Sequence, residues 1–189
     1  MMPMEFIPEL SLRWLNGWIP VLIFYIPFVI LMLIWPREIV RKLYDVSGWS
    51  PFERNMSLAG KPFSLASIVL LIFAPLKLGN PVFWIGMGIY VVGYAVIFTA
   101  LFNYRSTPVG EPVERGIYRF SRNPQWMGLL LTFVGAGVMT GFGMVVIFML
   151  LVAIFYHYRI KGEERACLAR YGEAYQRHLE EVPRYFASF

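Results

Sequence analysis

The sequence predicts an all-α integral membrane protein. It has about five transmembrane helices, a C-terminal helical hairpin and an amphipathic tail helix on the cytoplasmic side. Three observations carry this. Of 189 residues, 58% are hydrophobic and only 15% charged, whereas soluble domains run at roughly 45–50% and 25%. The apolar residues arrive in long blocks, as a bilayer requires. The charge is segregated: fifteen of the seventeen lysines and arginines fall in segments 36–61 and 105–124 and from Arg159 onward.

The first span runs from Trp14 to Trp35, with tryptophans suited to the two interfaces and Pro20 and Pro27 bending it. Residues 36–61 read as a short interfacial helix and then a loop, because Ser47-Gly48 and Ser50-Pro51 are turn signals. The second span runs from Pro62 to Leu78, and Gly79-Asn80-Pro81 turns the chain. The third runs from Val82 to Tyr104, with Gly86, Gly88 and Gly93 letting another helix approach. Such faces serve internal and intermolecular packing alike, so oligomeric state stays open. Trp126 to Met139 and Met144 to Tyr158 form a hairpin about Thr140–Gly143. One continuous run of about 33 residues would be roughly 50 Å long, too long for a bilayer of about 30 Å. Five spans put all three basic segments on one side, which the positive-inside rule makes cytoplasmic. The tail reads as an amphipathic helix on Cys167, Leu168, Tyr171, Tyr175 and Leu179. Val182-Pro183 ends it, before an aromatic terminus of Tyr185, Phe186 and Phe189. The division is 1–104, three N-terminal spans, and 105–189, a C-terminal core of polar segment, hairpin and tail, which the resemblance given below makes the catalytic core.

Several classes fall away. Cys167 is the sole cysteine, so no internal disulfide forms, and His157 and His178 lie too far apart to suggest a metal site. The basic residues cluster at span ends, which favours membrane lipids over nucleic acid. The first apolar run lacks a basic leader and a small-residue cleavage site, so it is expected to remain as an anchor. No dinucleotide fingerprint, phosphate-binding loop or zinc-protease motif is present.

Two polar stretches bear the chemistry. Val113 to Gly128 packs Arg115, Arg119 and Arg122 among aromatic and turn residues. Arginines here anchor to lipid headgroups or serve a site. Asn123-Pro124 has the form of a helix start, where the asparagine caps free N–H groups or leaves them for an anionic ligand. Tyr118, Phe120 and Trp126 are interfacial anchors or stacking surfaces for a purine or sulfonium. In the second stretch Arg159 stands four residues before Glu163, the spacing of a helical ion pair. With Glu164 it makes either such a pair or a carboxylate set facing a cation. His157 reads as an interhelical hydrogen-bonder and Cys167 as a packed thiol.

GIYRFSRNPQWMG, the hairpin and RIKGEERACLARYGEAYQRHLEEVPRYF together resemble the isoprenylcysteine carboxyl methyltransferase family, with its bacterial and phospholipid methyltransferase relatives. The matching residues are Gly116, Tyr118, Arg122, Pro124 and Gly128. Arg159, Glu163, Glu164, Leu168, Gly172, Tyr175 and Val182-Pro183-Arg184 follow. The family's histidine is Asn123 here and its tyrosine Trp126. Asparagine keeps hydrogen bonding but exchanges no proton near neutral pH. The resemblance implies an S-adenosyl-L-methionine-dependent methyltransferase of a bacterial or archaeal cell membrane, with its C-terminus cytoplasmic. The cofactor is held by Gly116, Tyr118, Arg122, Asn123, Pro124, Trp126, Glu163 and Glu164. Arg159 and Glu163 serve catalysis. The acceptor is lipid-like or a small hydrophobic molecule, with a carboxylate or thiolate favoured because the histidine is missing. The Cys167–Gly172 run and the Val-Pro ending also resemble NADPH-dependent sterol-type membrane reductases, and a non-catalytic membrane scaffold is the third reading.

Overall fold

The computed structural model describes residues 4–186; Phe189 lies outside them. Seven α-helices follow in order: α1 (Trp18–Ile34), α2 (Arg37–Leu43), α3 (Pro51–Phe73), α4 (Pro81–Ser106), α5 (Pro124–Met139), α6 (Gly143–Tyr171) and α7 (Glu173–Glu181). A single 3₁₀ turn, Gly116–Arg119, stands between α4 and α5. Among the described residues extended pairing is limited to two isolated bridges. Helices α3, α4 and α6 are long and apolar enough to cross a membrane. Helices α1 and α5 are apolar but only 17 and 16 residues long, about 25 Å each at helical rise.

Several boundaries differ from the sequence expectation. Helix α3 starts at Pro51 rather than Pro62, because Ser50 and Glu53 close a capping box and Pro51 occupies the first turn. That arrangement satisfies two backbone donors and suits proline's fixed φ. Pro62 then sits inside the helix. The first helix starts at Trp18, and Trp35 is buried with Arg105 against its ring. The last apolar run and the tail form one helix, α6, which breaks at Gly172, where φ is +56° and ψ −130°. Most side chains avoid that conformation, so the expected tail stripe is split between α6 and α7.

The core is continuous and aromatic. Phe24 meets Phe28, Phe98 and Phe133, and Leu71, Leu101, Phe142 and Val145 are buried. Helices α4 and α5 approach so closely that a Cβ on Gly86, Gly93, Gly128 or Gly135 would strike the facing backbone. Gly88, expected on the same face, meets open space. Phe63 of α3 packs on Phe148 and Phe155 of α6.

The helices alternate in direction, so the connectors gather at two ends. At one end Glu5 bridges to Phe142, and Asn16 bridges to Pro75. At the other, the segments around residues 42–50, 107–123 and 159–185 meet. Lys42 Nζ donates to Glu111 O at 3.1 Å, Arg170 pairs with Asp45, and Arg122 N donates to Pro183 O at 3.0 Å. The three basic segments thus share one end of the bundle.

Candidate active site

The basic end surrounds a cavity of about 400 Å³. The segment before α5 is fixed first. Gly116 has φ +61° and passes so close to Asn103 that any Cβ would collide with its side chain. Asn103 Oδ1 in return accepts from Ile117 N at 2.9 Å. Tyr118 is thereby buried, and Gln125 Nε2 donates to its hydroxyl at 2.7 Å. Burial lifts this phenol well above the ordinary tyrosine range, because the charged form would lose its hydration.

Glu164 is the hub of the closed part of the site. Its side chain is 7% exposed and accepts from Arg184 Nη2 at 2.8 Å and from Asn123 Nδ2 at 3.1 Å. Arg122 Nε lies 3.2 Å from its Oε1, off the line of a hydrogen bond, so this contact is chiefly coulombic. Arg122 Nη1 donates to Leu179 O at 2.6 Å. Asn123 therefore does not cap α5 with its side chain, because its amide is drawn to Glu164 and to Arg184 O. Pro124 is buried at the first turn.

Glu163 is the open partner. Its side chain is 28% exposed, and Arg159 Nε donates to it at 3.0 Å. Trp126 Nε1 donates to its other oxygen at 3.0 Å. The Arg159 guanidinium lies 4.2 Å from the Trp126 ring and 4.9 Å from the Trp49 ring, and its Nη1 donates to Ser57 at 3.3 Å. Cation–π contacts and the ion pair hold it in one geometry.

The cavity thus gathers Tyr118, Arg122, Asn123, Trp126, Arg159, Glu163 and Glu164; Gly116 and Pro124 shape the backbone behind it. Arg115 and Arg119 face outward, Arg115 with a 70% exposed side chain. Cys167 lines the cavity, and His157 bonds through Nδ1 to the Tyr185 hydroxyl at 2.7 Å. His178 is buried on α7, and its pKa is lowered by that burial and by Arg122.

Sequence reasoning assigned nothing at the site to the connector before α3, yet Lys42, Asp45 and Trp49 line the cavity. The Arg170 hydrogen bond, helped by Ser47, holds the Asp45 carboxyl at about 2, below its ordinary 3.8. Arg184 was legible only as part of the Val-Pro-Arg ending.

A second cavity of about 490 Å³ adjoins the first, between α5 and α6. Its walls are apolar: Met127, Leu130, Phe133, Met149, Val152 and Ile160. Trp126 and Tyr156 line both cavities.

The chain matches the family model described as phospholipid methyltransferase over residues 76–174, more than half its length. The match takes in α4, the polar segment, the hairpin and the Arg159–Glu164 stretch. No curated protein and no solved structure matches.

Proposed function

The chain belongs to the phospholipid methyltransferase family, and on that premise we propose that it transfers a methyl group from S-adenosyl-L-methionine to a lipid-like acceptor. The observation that carries the reading is the adjacency of a charged, aromatic cavity and an apolar one across Trp126 and Tyr156. The first suits a polar donor, the second an acyl or prenyl chain.

The residues fit this cofactor. Glu163, partly open and already oriented by Arg159 and Trp126, faces the donor's ammonium. Tyr118 and Trp126 border the adenosine, and the start of α5 with Arg122 receives the carboxylate. When bound, the cofactor supplies an electrophilic methyl on a sulfonium. The protein's task is then alignment of the acceptor for in-line displacement. Glu164 touches no ligand in this reading; it positions Arg122, Asn123 and Arg184. Arg159 holds an anionic acceptor group while keeping Glu163 aimed. Five helices cross the membrane, the short α1 and α5 included, and the basic end with the C-terminus is cytoplasmic. A carboxylate or thiolate acceptor needs no base, which agrees with Asn123 standing where the family's histidine does.

A thermal-shift titration in detergent with S-adenosylhomocysteine, and separately with NADPH, tests the cofactor. A ligand at about 100 times its Kd adds about 2.7 kcal/mol to apparent stability. The expected result is a saturable rise with S-adenosylhomocysteine that Glu163→Gln removes. A rise with NADPH alone overturns the proposal.

A further inference from the structure

Two of the side chains that hold Arg159 come from outside the stretch that matches the family model, residues 76–174. Trp49 belongs to the α2–α3 connector and Ser57 to α3. We propose, resting on the methyl-transfer reading above, that Trp49 is a positioning residue of the site. It fixes the Arg159 guanidinium, and through Arg159 it keeps the Glu163 carboxylate aimed at the donor's ammonium. The matched stretch supplies Arg159 and Glu163, and the connector ahead of it completes their alignment.

Three features support it. First, the connector is seated directly on α6. A Cβ on Gly48 would lie 2.7 Å from the Ala166 Cβ, so the glycine is what lets the chain run this close. Just beyond Trp49, Ser50 and Glu53 start α3 with their capping box, and Glu53 pairs with Arg165 of α6. Trp49, between these two fastenings, is 7% exposed and lines the charged cavity. Second, Arg159 needs the hold. Its Nε donates to Glu163 at 3.0 Å, while Nη1 reaches Ser57 at 3.3 Å. Confining a long, rotamer-rich side chain costs entropy. Aromatic rings offset that cost, because a guanidinium within about 6 Å of a ring is drawn to its negative face. The guanidinium carbon lies 4.2 Å from the Trp126 ring, 4.9 Å from Trp49 and 5.6 Å from Tyr156. Trp126 and Tyr156 belong to the same hairpin as Arg159; Trp49 ties the group to a different part of the chain. Third, among the described residues Glu163 hydrogen-bonds only to Arg159 and Trp126. An Arg159 released from Trp49 therefore frees the carboxylate, and a small misplacement of a binding group is costly.

The test uses the full chain in detergent. Calorimetry measures the S-adenosylhomocysteine Kd, and denaturant unfolding without ligand measures stability, for the native protein, Trp49→Phe and Trp49→Leu. Trp49→Leu should raise Kd about tenfold, and Trp49→Phe, which keeps a ring face, about threefold or less, the scale of a partly desolvated cation–π contact. Lower stability in both variants with Kd unchanged makes Trp49 a packing residue and overturns the proposal. If Trp49→Leu does not fold, fluorinated tryptophans inserted at position 49 alone take its place. They weaken the negative face of the ring at nearly constant size, so Kd should climb with each added fluorine; a flat series overturns the proposal. A double-mutant cycle between the most fluorinated residue at position 49 and Arg159→Leu, read by unfolding without ligand, separates Trp49 from the methyl donor. The two changes should be non-additive by about fivefold in the unfolding constant. Non-additivity in a native protein that does not bind S-adenosylhomocysteine removes the donor and leaves Trp49 holding Arg159. S-adenosylhomocysteine binding with additive changes keeps the donor and overturns the role of Trp49.

Discussion

The two ends of the helix bundle are fastened by different chemistry. At one end, main-chain groups do most of the joining. Glu5 N donates to Gly141 O at 2.9 Å, Gly143 N to Glu5 O at 2.8 Å, Leu76 N to Leu15 O at 3.0 Å and Lys77 N to Met139 O at 3.1 Å. At the other, side-chain charges join the connectors: Arg122 and Arg184 on Glu164, Arg159 on Glu163, Arg165 on Glu53 and Arg170 on Asp45. Backbone pairing constrains shape and tolerates many side chains. A buried charge network demands particular residues. The charged end is therefore where residue identity matters most, where the proposed function places the site, and where single substitutions should do most damage.

Glu164→Ala should have the largest effect. It strands Arg122, whose side chain is 9% exposed, and removes the partner of Arg184. Breaking one side of a buried pair costs about 3–5 kcal/mol. At the opposite end Lys77→Ala breaks the pair with Glu5, whose side chains are 24% and 38% exposed. That loss should be about 1 kcal/mol or less. Denaturant unfolding of both variants in the same detergent measures the difference; equal losses would break the contrast.

Glycine substitutions sharpen it next. Gly172→Ala and Gly141→Ala each force a side chain into positive φ, +56° and +67°. Gly172 also has ψ −130°, a region essentially closed to other residues, so its cost should be about 1–3 kcal/mol. It should also disturb α7, hence Tyr175 and His178 beside the cavity. Gly141→Ala should cost about 1–2 kcal/mol and leave ligand response intact. An S-adenosylhomocysteine shift lost in Gly141→Ala but kept in Gly172→Ala would contradict this.

Within the charged end, Glu163→Gln separates site from fold. Glu163 is partly open, and its amide replacement still accepts from Arg159 or Trp126. Stability should fall by about 1 kcal/mol or less, while the response to S-adenosylhomocysteine disappears. Equal ligand response in Glu163→Gln and the native chain would return Glu163 to a structural role.

What the sequence made legible follows the range of each interaction. Arg159–Glu163 is an i,i+4 pair, and one helix delivers it. The hairpin was legible because glycines and bilayer thickness forbid a single run. Glu164 and Arg122, in contrast, stand 42 positions apart, and only the antiparallel packing of α5 on α6 joins them. Trp49 reaches Arg159 because α3 packs along α6, a contact that no local pattern encodes. The start of α3 was encoded, in Ser50-Pro51-Phe52-Glu53, but its capping signal was masked by the turn signal of Ser50-Pro51. Local grammar offers Asn123 as a cap or as the edge of an anion site. The side chain is instead oriented by its Nδ2, which donates to the distant Glu164 carboxylate and to Arg184 O, and its oxygen caps no N–H of α5.

The smallest effect lies in the acid range, at Asp45. Its side chain is 30% exposed and paired with Arg170, which joins the α2–α3 connector to α6. The Arg170 hydrogen bond is the main reason its pKa falls from 3.8 to about 2. A carboxylate whose folded pKa is depressed contributes stability above its unfolded value. That contribution is lost as pH drops from about 4 through about 2, because the unfolded chain then binds the proton first. Partial exposure screens the pair and keeps the effect small. Melting temperatures of native protein and Asp45→Asn, compared from pH 6 down to pH 2, should differ at the upper end and converge at the lower. Added salt should narrow the gap at pH 6. A gap that is constant across the whole range would mean that Asp45 acts through packing. The connector would then be held by Gly48 against Ala166, not by charge.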